Sequence, residues 1–313
     1  MGYDRENRNE LARWEERKKQ LREGIVDTRK RTTSAIWNGD YEELAALILY
    51  PRELWEKLAY HERQWLFVEA AAMASTAAVL TGRSAARKLG MWVIAASEEK
   101  IELTLPSRGV SRSRAGSSRY EFRHSRLRDD ETIVYEGHAV TSPIRTFIDI
   151  ARTHGFVEGL IAADYLLRRG IERDDILRGI QKMGRAKGIA TARRCLEHAI
   201  PNSESPYESL ARGLLIEAGI GPVQAQYRID QYSADLLVHG WLIIEIDGEK
   251  KYDGPDAENV RQKEFNRQKW MGNRGYVFLR YPPWFVREHP DRFLSEVRQT
   301  VAASGLIGER MAL

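Results

Sequence analysis

The sequence has a single cysteine, Cys195, among its 313 residues. One thiol cannot form an internal disulfide framework, and it cannot supply a zinc cluster of thiolates. None of the seven histidines lies at metal-ligand spacing from another histidine or from the cysteine, so no zinc site is predicted. Cys195 lies in the helix-like stretch ATARRCLEHAI, and we expect it to be a buried structural thiol rather than a nucleophile.

Long apolar runs are also missing. The N-terminal residues MGYDRENRNE are charged and do not contain the apolar segment of a signal peptide. The most apolar stretch, WLFVEAAAMASTAAVL, is too short to cross a bilayer and contains Glu69. These two features predict a cytoplasmic protein that does not enter a membrane.

Neither sign of charge dominates, because 49 lysines and arginines against 45 acids give a formal net charge of +4. Such a mild basic excess is weak evidence for a nucleic-acid partner, and its distribution matters more. Seven arginines and one acid, Glu121, fall within residues 107–128, which we interpret as a Ser/Gly-rich hairpin loop. The arginines are Arg108, Arg112, Arg114, Arg119, Arg123, Arg126 and Arg128.

The arginine-rich segment has two interpretations. Arginines neutralise phosphates without reading the base sequence, which favours a nucleic-acid contact. The alternative is a solvated flexible loop. On the first interpretation, the candidate nucleic-acid contacts are Arg108, Arg112, Arg114, Arg119 and Arg123.

The length is enough for two or three domains, and we predict three. Residues 1–58 are predicted to form a helical head, for which a DNA-binding helix-turn-helix and a structural bundle are both open. Residues 59–200 are predicted to form an α+β domain that contains the arginine-rich segment. The polar, proline-bounded stretch IPNSESP marks the boundary before residues 201–313.

The last third of the chain has the pattern α-β-β-β-α-β-α. Its first helix is SPYESLARGLLIEAG, with a clear start and a glycine stop. Three strands follow, VQAQYRI, YSADLLV and WLIIEID. A helix (NVRQKEFNRQKWMGNRG), a strand (YVFLRY) and a final helix (PDRFLSEVRQTVAAS) complete the pattern.

Three acids interrupt the apolar residues of the second and third of these strands. Asp235 lies inside ADLLV, and Glu245 and Asp247 are two residues apart, so that they share one face of their strand. Each acid taken alone has a structural explanation, such as a turn at Asp247-Gly248. Their arrangement on one hairpin favours a functional site.

The register of this hairpin decides whether the acids meet. If the loop has three residues, Val238 pairs with Leu242 and Asp235 lies opposite Glu245, on the same face. If the loop has two residues, Asp235 falls opposite Ile244 and the acids divide between the two faces. The sequence leaves both registers open.

Opposed carboxylates repel each other unless a proton or a cation compensates. Mg²⁺ takes one or two carboxylates and fills its remaining positions with water and phosphate oxygens. A divalent ion held in this way can activate water and stabilise the charge on a phosphodiester. Lys250 and Lys251 follow the turn, and either one can offset the developing charge. The acids therefore predict hydrolysis that depends on Mg²⁺ or Mn²⁺.

Residues 205–300 resemble the very-short-patch-repair-like branch of the PD-(D/E)XK nuclease superfamily. The family pattern is a helix with an inward Glu, a strand with Asp, and a strand that ends E-x-D-G, with His or Lys four residues after the second acid. A helix with E-x-x-R and a strand with G-[WY]-x-V-x-R follow. The matching residues are Glu208, Asp235, Glu245, Asp247-Gly248, Lys251-Tyr252, Glu264 with Arg267, and Gly275-Tyr276 through Arg280.

The resemblance implies a set of site residues. It implies that Asp235 and Glu245 coordinate the metal, and that Glu208 helps from its helix, directly or through water. Asp247 stands where many members have the catalytic lysine, and the resemblance implies that it ligates or orients. Lys251 is then the cationic partner that assists the nucleophile or the scissile phosphate.

Arg267 is expected to contact phosphate or to brace the site. The resemblance further implies a role in phage defence or DNA repair, and it leaves a homodimer open. Residues 60–200 resemble the region that precedes this nuclease domain in many proteins, which is similar to AbiE-type antitoxins. A winged-helix head comes first in those proteins, so that the resemblance implies a winged-helix-like head in residues 1–58. The matching pieces are LTGRSAARKLG, IELTLP and VTSPIRTFIDIAR.

We therefore expect an α/β and α+β multi-domain protein with a restriction-endonuclease-like C-terminal domain. Its expected activity is Mg²⁺-dependent cleavage of DNA, with duplex DNA as the favoured partner. The alternative is a DNA-binding regulator or antitoxin-like protein on a degenerate nuclease scaffold, without catalysis. A third hypothesis, an RNA-directed nuclease, is separated by competition between duplex DNA, single strands and RNA.

Overall fold

A computed structural model describes residues 2–29, 40–75, 77–105, 119–123, 126–246 and 257–311. These residues form a mixed α/β protein with twelve α-helices and three β-sheets. The chain divides into two compact units. The first unit contains Met1–Met91 and Glu98–Thr146, and the second contains Trp92–Ser97 and Phe147–Leu313. This division is coarser than the three predicted domains, whose bounds stay predictions.

The first unit contains two of the sheets. One has the strand order β1-β3-β2, and the other has the order β6-β5-β4-β8-β7. In chain order its elements are α1 (Gly2–Glu23), β1 (Val26–Asp27), β2 (Tyr41–Ala45), β3 (Ile48–Pro51), α2 (Arg52–Glu56), α3 (Tyr60–Ala74), β4 (Val79–Leu80), α4 (Gly82–Leu89), β5 (Ile101–Thr104), β6 (Tyr120–Arg123), β7 (Thr132–Tyr135) and β8 (His138–Thr141).

The head contains more β-structure than predicted. The strands β2 and β3 form an antiparallel hairpin in residues 41–51, and β1 pairs with β3. The prediction of a helical head is therefore incomplete, because a short apolar run such as LAALILY is compatible with either a helix or a strand. The stretch TRKRTTSAIW (residues 28–37), whose sequence is also compatible with a second short helix, lies mostly outside the described residues.

The charged helix α1 contributes to the core of the first unit. Lys18 and Leu21 are fully buried. The Nε atom of Arg22 donates to one oxygen of Glu69 on α3 at 2.9 Å, and the Nζ atom of Lys88 on α4 donates to the other at 2.5 Å. Buried charges are tolerated when they are paired in this way. The helix α1 is thus attached through ion pairs as well as through apolar contacts.

The prediction of a hairpin over residues 107–128 is wrong. Strands β5 and β6 pair in parallel, with Ile101 opposite Tyr120 and Thr104 opposite Arg123. A tight hairpin turn joins antiparallel strands, whereas parallel neighbours need a longer crossover. The alternating side chains of IELTLP and YEFRHSRL predict two strands, but alternation carries no information about strand direction.

The third sheet lies in the second unit and has the order β12-β11-β10-β9. The remaining elements of the chain are α5 (Pro143–His154), α6 (Phe156–Arg168), α7 (Arg173–Lys182), α8 (Ile189–His198), α9 (Pro206–Glu217), β9 (Val223–Ile229), β10 (Tyr232–Val238), β11 (Leu242–Ile246), α10 (Ala257–Gly272), β12 (Val277–Tyr281), α11 (Pro283–Glu288) and α12 (Pro290–Met311). The predicted order α-β-β-β-α-β-α is confirmed, with the short helix α11 in addition.

Helices cover both faces of the third sheet. On one face, Leu236 and Ile244 pack with residues of α9, α11 and α12. On the other face, Leu237 and Ile243 pack with Met271 of α10. Strands β11 and β12 are parallel, and α10 connects them. Because both faces are buried, a polar side chain on these strands must find a partner.

A buried ion pair joins α6 to α9. Asp164 is fully buried, and the Nη2 atom of Arg212 donates to both of its carboxylate oxygens, at 2.8 and 2.7 Å. Ser209 Oγ donates to the same carboxylate at 2.7 Å, and Arg212 Nη1 donates to the carbonyl of His198 at 2.7 Å. These contacts fix the helix whose first turn carries Glu208.

Cys195 is fully buried on α8, and its Sγ atom donates to the carbonyl of Phe156 at 3.3 Å. Burial raises the pKa of the Cys195 thiol to about 12. The prediction of a buried structural thiol is confirmed. In the part of the chain that the structure describes, every helix is too short or too polar to traverse a bilayer.

Replacing Asp164 with Ala should lower the free energy of unfolding by about 3–5 kcal/mol, because Arg212 would remain as an unpaired buried charge. Urea denaturation followed by circular dichroism measures this loss. The double variant Asp164→Ala/Arg212→Met should lose less than the two single variants added together. A loss below about 1 kcal/mol in Asp164→Ala would contradict the assigned ion pair.

Candidate active site

The register of β10 and β11 brings two of the predicted acids together. Val238 pairs with Leu242, and Leu236 pairs with Ile244. The loop between the strands therefore has three residues, which is the register that the predicted site requires. Continuing the same register by one position places Asp235 beside Glu245.

The loop geometry explains why this register forms. His239 and Gly240 both have left-handed backbones, with φ of 53° and 77°. Glycine adopts this conformation without strain, and histidine is among the residues found there more often than most. The strands on either side are apolar on both faces, so that a slip of one residue would exchange the side chains packed on each face.

Asp235 is held against the neighbouring strand. Its Oδ2 atom accepts a hydrogen bond from the backbone N–H of Ile246 at 2.9 Å. This contact lies just beyond the Leu236–Ile244 pair. There the side chain of Asp235, rather than the backbone of β10, accepts the hydrogen bond from β11. The carboxylate therefore lies at the end of β11, next to the position of Glu245.

Glu245 is buried, with only 4% of its surface exposed, and Arg267 of α10 is its counter-ion. The Nη2 atom of Arg267 donates to Glu245 Oε1 at 2.7 Å, and Nη1 donates to Oε2 at 3.3 Å. Nη2 also donates to the carbonyl of Ser233. This two-point contact has the geometry that a bracing role for Arg267 needs, whereas a contact with phosphate stays a prediction.

Arg280 lies on β12, the strand that flanks β11 on the side opposite to β10. Strands β11 and β12 pair in parallel register with Glu245 opposite Arg280. Directly paired residues of neighbouring strands lie on the same face of the sheet. Glu245 and Arg280 thus lie side by side, and Asp235 on β10 comes directly before the last recorded pair of β10 with β11. The parallel pairing of β11 and β12, which brings Arg280 here, could not be read from the sequence.

Glu208 lies in the first turn of α9. Ser205 caps this helix and accepts a hydrogen bond from the N–H of Glu208. Glu208 is 6% exposed, and burial raises the pKa of its carboxyl. Its Oε2 atom accepts from the N–H of Glu204 at 2.8 Å and from Nε2 of Gln226 at 2.9 Å.

Gln226 belongs to the site although sequence reasoning missed it. The pairs Ala234–Tyr227 and Leu236–Ala225 place it opposite Asp235 on the edge strand β9. Its backbone therefore lies next to that of Asp235, while its side chain contacts Glu208. A glutamine within a strand gives no pattern that marks it as functional.

The donor atoms of Asp235 and Glu245 fit a magnesium site. Mg²⁺ in proteins takes one or two carboxylates and keeps several waters. A carboxylate has about four lone-pair positions, so that the two hydrogen bonds from Arg267 leave acceptor capacity on Glu245. Among the described residues, no three or more His, Cys, Asp or Glu side chains are grouped as ligands for a metal ion. Asp247 and Lys251, which were also predicted to belong to the site, lie outside the described residues.

The predicted nucleic-acid contacts fall into two groups. Arg108, Arg112 and Arg114 lie outside the described residues. Arg119 donates to the carbonyl of Glu43 at 2.7 Å, and its guanidinium lies 4.4 Å from the centre of the Phe67 ring.

Arg123 is paired inside the first unit. It contacts Glu121 at 2.9 Å and lies 3.8 Å from the buried Glu102. Both Arg119 and Arg123 therefore have structural contacts within this unit. A contact between either one and nucleic acid stays a prediction.

Comparisons of the chain with protein-family models, with curated proteins and with solved structures found no match in any of the three. The chemistry of the site is therefore inferred from its own residues.

Proposed function

We propose that the chain is a metal-dependent DNA endonuclease that hydrolyses phosphodiester bonds. The observation that carries this proposal is the β10–β11 register, which brings Asp235 beside Glu245. The order of elements in the second unit also agrees with a restriction-endonuclease-like domain. A role in phage defence or DNA repair rests on the resemblance alone.

The chain's own residues would act as follows. Asp235 and Glu245 would hold a Mg²⁺ or Mn²⁺ ion, and Glu208 would support it from α9. A bound divalent ion supplies activation of water and stabilisation of charge on the phosphodiester. Arg267 orients Glu245 through its two hydrogen bonds.

The remaining cationic and acidic groups would act on the substrate. Arg280, beside Glu245, would attract a phosphate of the DNA backbone. In the proposed mechanism, Asp247 completes the acidic group and Lys251 assists the nucleophile or the scissile phosphate. Binding of duplex DNA would be strengthened by the arginine-rich segment of residues 107–128.

One observation favours a second function, that of a DNA-binding regulator without catalysis. Arg267 already contacts both oxygens of Glu245, and Glu245 is buried while Arg267 is partly buried. A closed ion pair of this kind is a sufficient structural reason for a buried glutamate. In that case the acids would stabilise the fold, and DNA binding would not depend on Asp235.

Cleavage of supercoiled and linear DNA in Mg²⁺ or Mn²⁺ tests the proposal. Glu245→Gln, which keeps the shape of the side chain but removes its charge, should slow nicking by at least about 100-fold, because the charge of a metal ligand is worth several kcal/mol. The matched control is Glu217→Gln, a change at an exposed glutamate of the same unit, which should cleave like the wild type.

DNA binding should persist in both variants, because neither substitution changes an arginine. No metal-dependent nicking by the wild type, or equal nicking by Glu245→Gln, would overturn the nuclease proposal. Intact DNA binding together with either result would favour the regulator.

Replacing Arg108, Arg112 and Arg114 together with Ser should weaken DNA binding and reduce the slope of log K against log salt concentration by about 3, one for each lost phosphate contact. Fluorescence anisotropy of labelled duplex DNA over a salt series measures the slope. The matched control removes three exposed arginines of the second unit, Arg178, Arg193 and Arg292. If both triple variants change the slope equally, the arginine-rich segment has no special role.

A further inference from the structure

The connection between α7 and α8 lies in a stretch of the chain whose charged side chains are all positive. Residues 176–196 contain six lysines and arginines and no acid. This excess equals that of the arginine-rich segment, but it lies in the second unit. Lys182, Arg185 and Lys187 are exposed and lie where α7 ends and the connection to α8 follows. Residues 182–188 form the basic loop.

The cations of the basic loop differ in their partners from the cations of the flanking helices. On the helices, two arginines form ion pairs with acids, and these pairs are Arg178 with Asp175 and Arg194 with Glu217. In the part of the chain that the structure describes, no acid lies within ion-pair distance of Arg185 or Lys187. The charge of the basic loop is therefore not neutralised by the protein at these two positions.

The basic loop is held in place by neighbouring helices. The Nε atom of Arg152 on α5 donates to the carbonyl of Lys187 at 2.7 Å, and Arg193 Nη2 donates to the carbonyl of Gly184 at 3.4 Å. Gly188 has a φ of 78°, and a Cβ atom there would lie 2.7 Å from the carbonyl oxygen of Arg152. Because the backbone is already fixed, a ligand of the basic loop would need to order only side chains.

The surface of the basic loop suits phosphate groups better than a lipid bilayer. Basic segments that lie on membranes present large apolar side chains, such as Trp, Phe or Leu, beside their cations. None of the exposed large apolar residues of the described chain lies in residues 182–188, and the nearest in sequence, Leu177, belongs to α7. Lysine and arginine side chains without such an apolar face are typical contacts of a nucleic-acid backbone.

The basic loop lies away from Glu208 of the candidate site. Arg194 on α8 contacts Glu217 at the end of α9, whereas Arg212 on α9 donates to the carbonyl of His198 at the end of α8. The two helices are therefore antiparallel, and the loop that precedes α8 lies beyond the C-terminal end of α9. Glu208 is in the first turn of α9, about 14 Å along the helix from Glu217.

We propose that the basic loop is a second contact of this chain with the phosphate backbone of duplex DNA, separate from the arginine-rich segment. This inference rests on the proposed function, which supplies DNA as the partner. Lys182, Arg185 and Lys187 neutralise phosphates and add affinity without reading the base sequence. The second unit thereby has its own means of holding the duplex.

Fluorescence anisotropy of a labelled DNA duplex with the full chain, over a salt series and without divalent metal, tests the proposal. The loop variant changes Lys182, Arg185 and Lys187 together to Gln, which removes their charges. It should bind more weakly, and its slope of log K against log salt concentration should be shallower by about 2 to 3, one for each lost phosphate contact. Its melting temperature should equal that of the wild type, because the three side chains are exposed.

Two control variants accompany the loop variant. Arg178→Gln/Arg292→Gln/Arg298→Gln removes three exposed cations of the same unit outside the basic loop, and it should change the slope by less than about 1. Arg185→Lys/Lys187→Arg keeps both charges and should bind like the wild type, because neutralising phosphates requires the charge alone.

A shallower slope for the loop variant alone would support the contact, whether or not the chain nicks DNA. Equal slopes for the wild type and the loop variant, or equal changes in both triple variants, would overturn the role of the basic loop and leave the nuclease proposal intact. Weaker binding of the loop variant to phosphatidylserine vesicles, with DNA binding unchanged, would assign the loop to a membrane surface instead. If the wild type binds no duplex, the proposed function fails and this inference fails with it.

Discussion

The pairing of Val238 with Leu242 is the constraint on which the site depends. It follows from a three-residue loop and from strands whose two faces are both buried, so that each face accepts only its own set of side chains. With this register, Asp235 comes next to Glu245, and Arg280 joins them from β12. A register shifted by one residue would separate the acids and would also exchange Leu236 and Leu237 between two different clusters.

Placing acids in such a sheet creates an electrostatic cost that the surrounding helices must offset. Glu245 is buried beneath α10, and Arg267 of that helix supplies its counter-charge. Between α6 and α9, the buried Asp164 is satisfied in the same manner by Arg212. These ion pairs hold α9 and α10 in place on opposite faces of the sheet. Glu208 therefore approaches the sheet from the α9 face and contacts Gln226, whereas Arg267 approaches from the α10 face and contacts Glu245.

Much of the second unit could be predicted from the sequence, because glycine and proline mark its helix ends and apolar runs mark its strands. The predicted bounds of β9 and β10 are those of the structure. The relative direction of neighbouring strands was harder to predict from the sequence, which is why the segment 107–128 was wrongly predicted to be a hairpin. The register of the β10–β11 hairpin, which carries the acids, could not be decided from the sequence, because loops of two and of three residues were both compatible with it. The contact of Gln226 with Glu208 was missed because it leaves no periodic signal in the sequence.

The central claim is that Asp235 and Glu245 together hold a divalent ion. Crystals of the wild-type chain grown with Mn²⁺, with diffraction data collected at the manganese absorption edge, test it most directly. The account predicts an anomalous peak at bonding distance, about 2 Å, from a carboxylate oxygen of each residue, with Glu208 within reach directly or through one water. Absence of a peak at these carboxylates, with Arg267 alone on Glu245, would contradict the account.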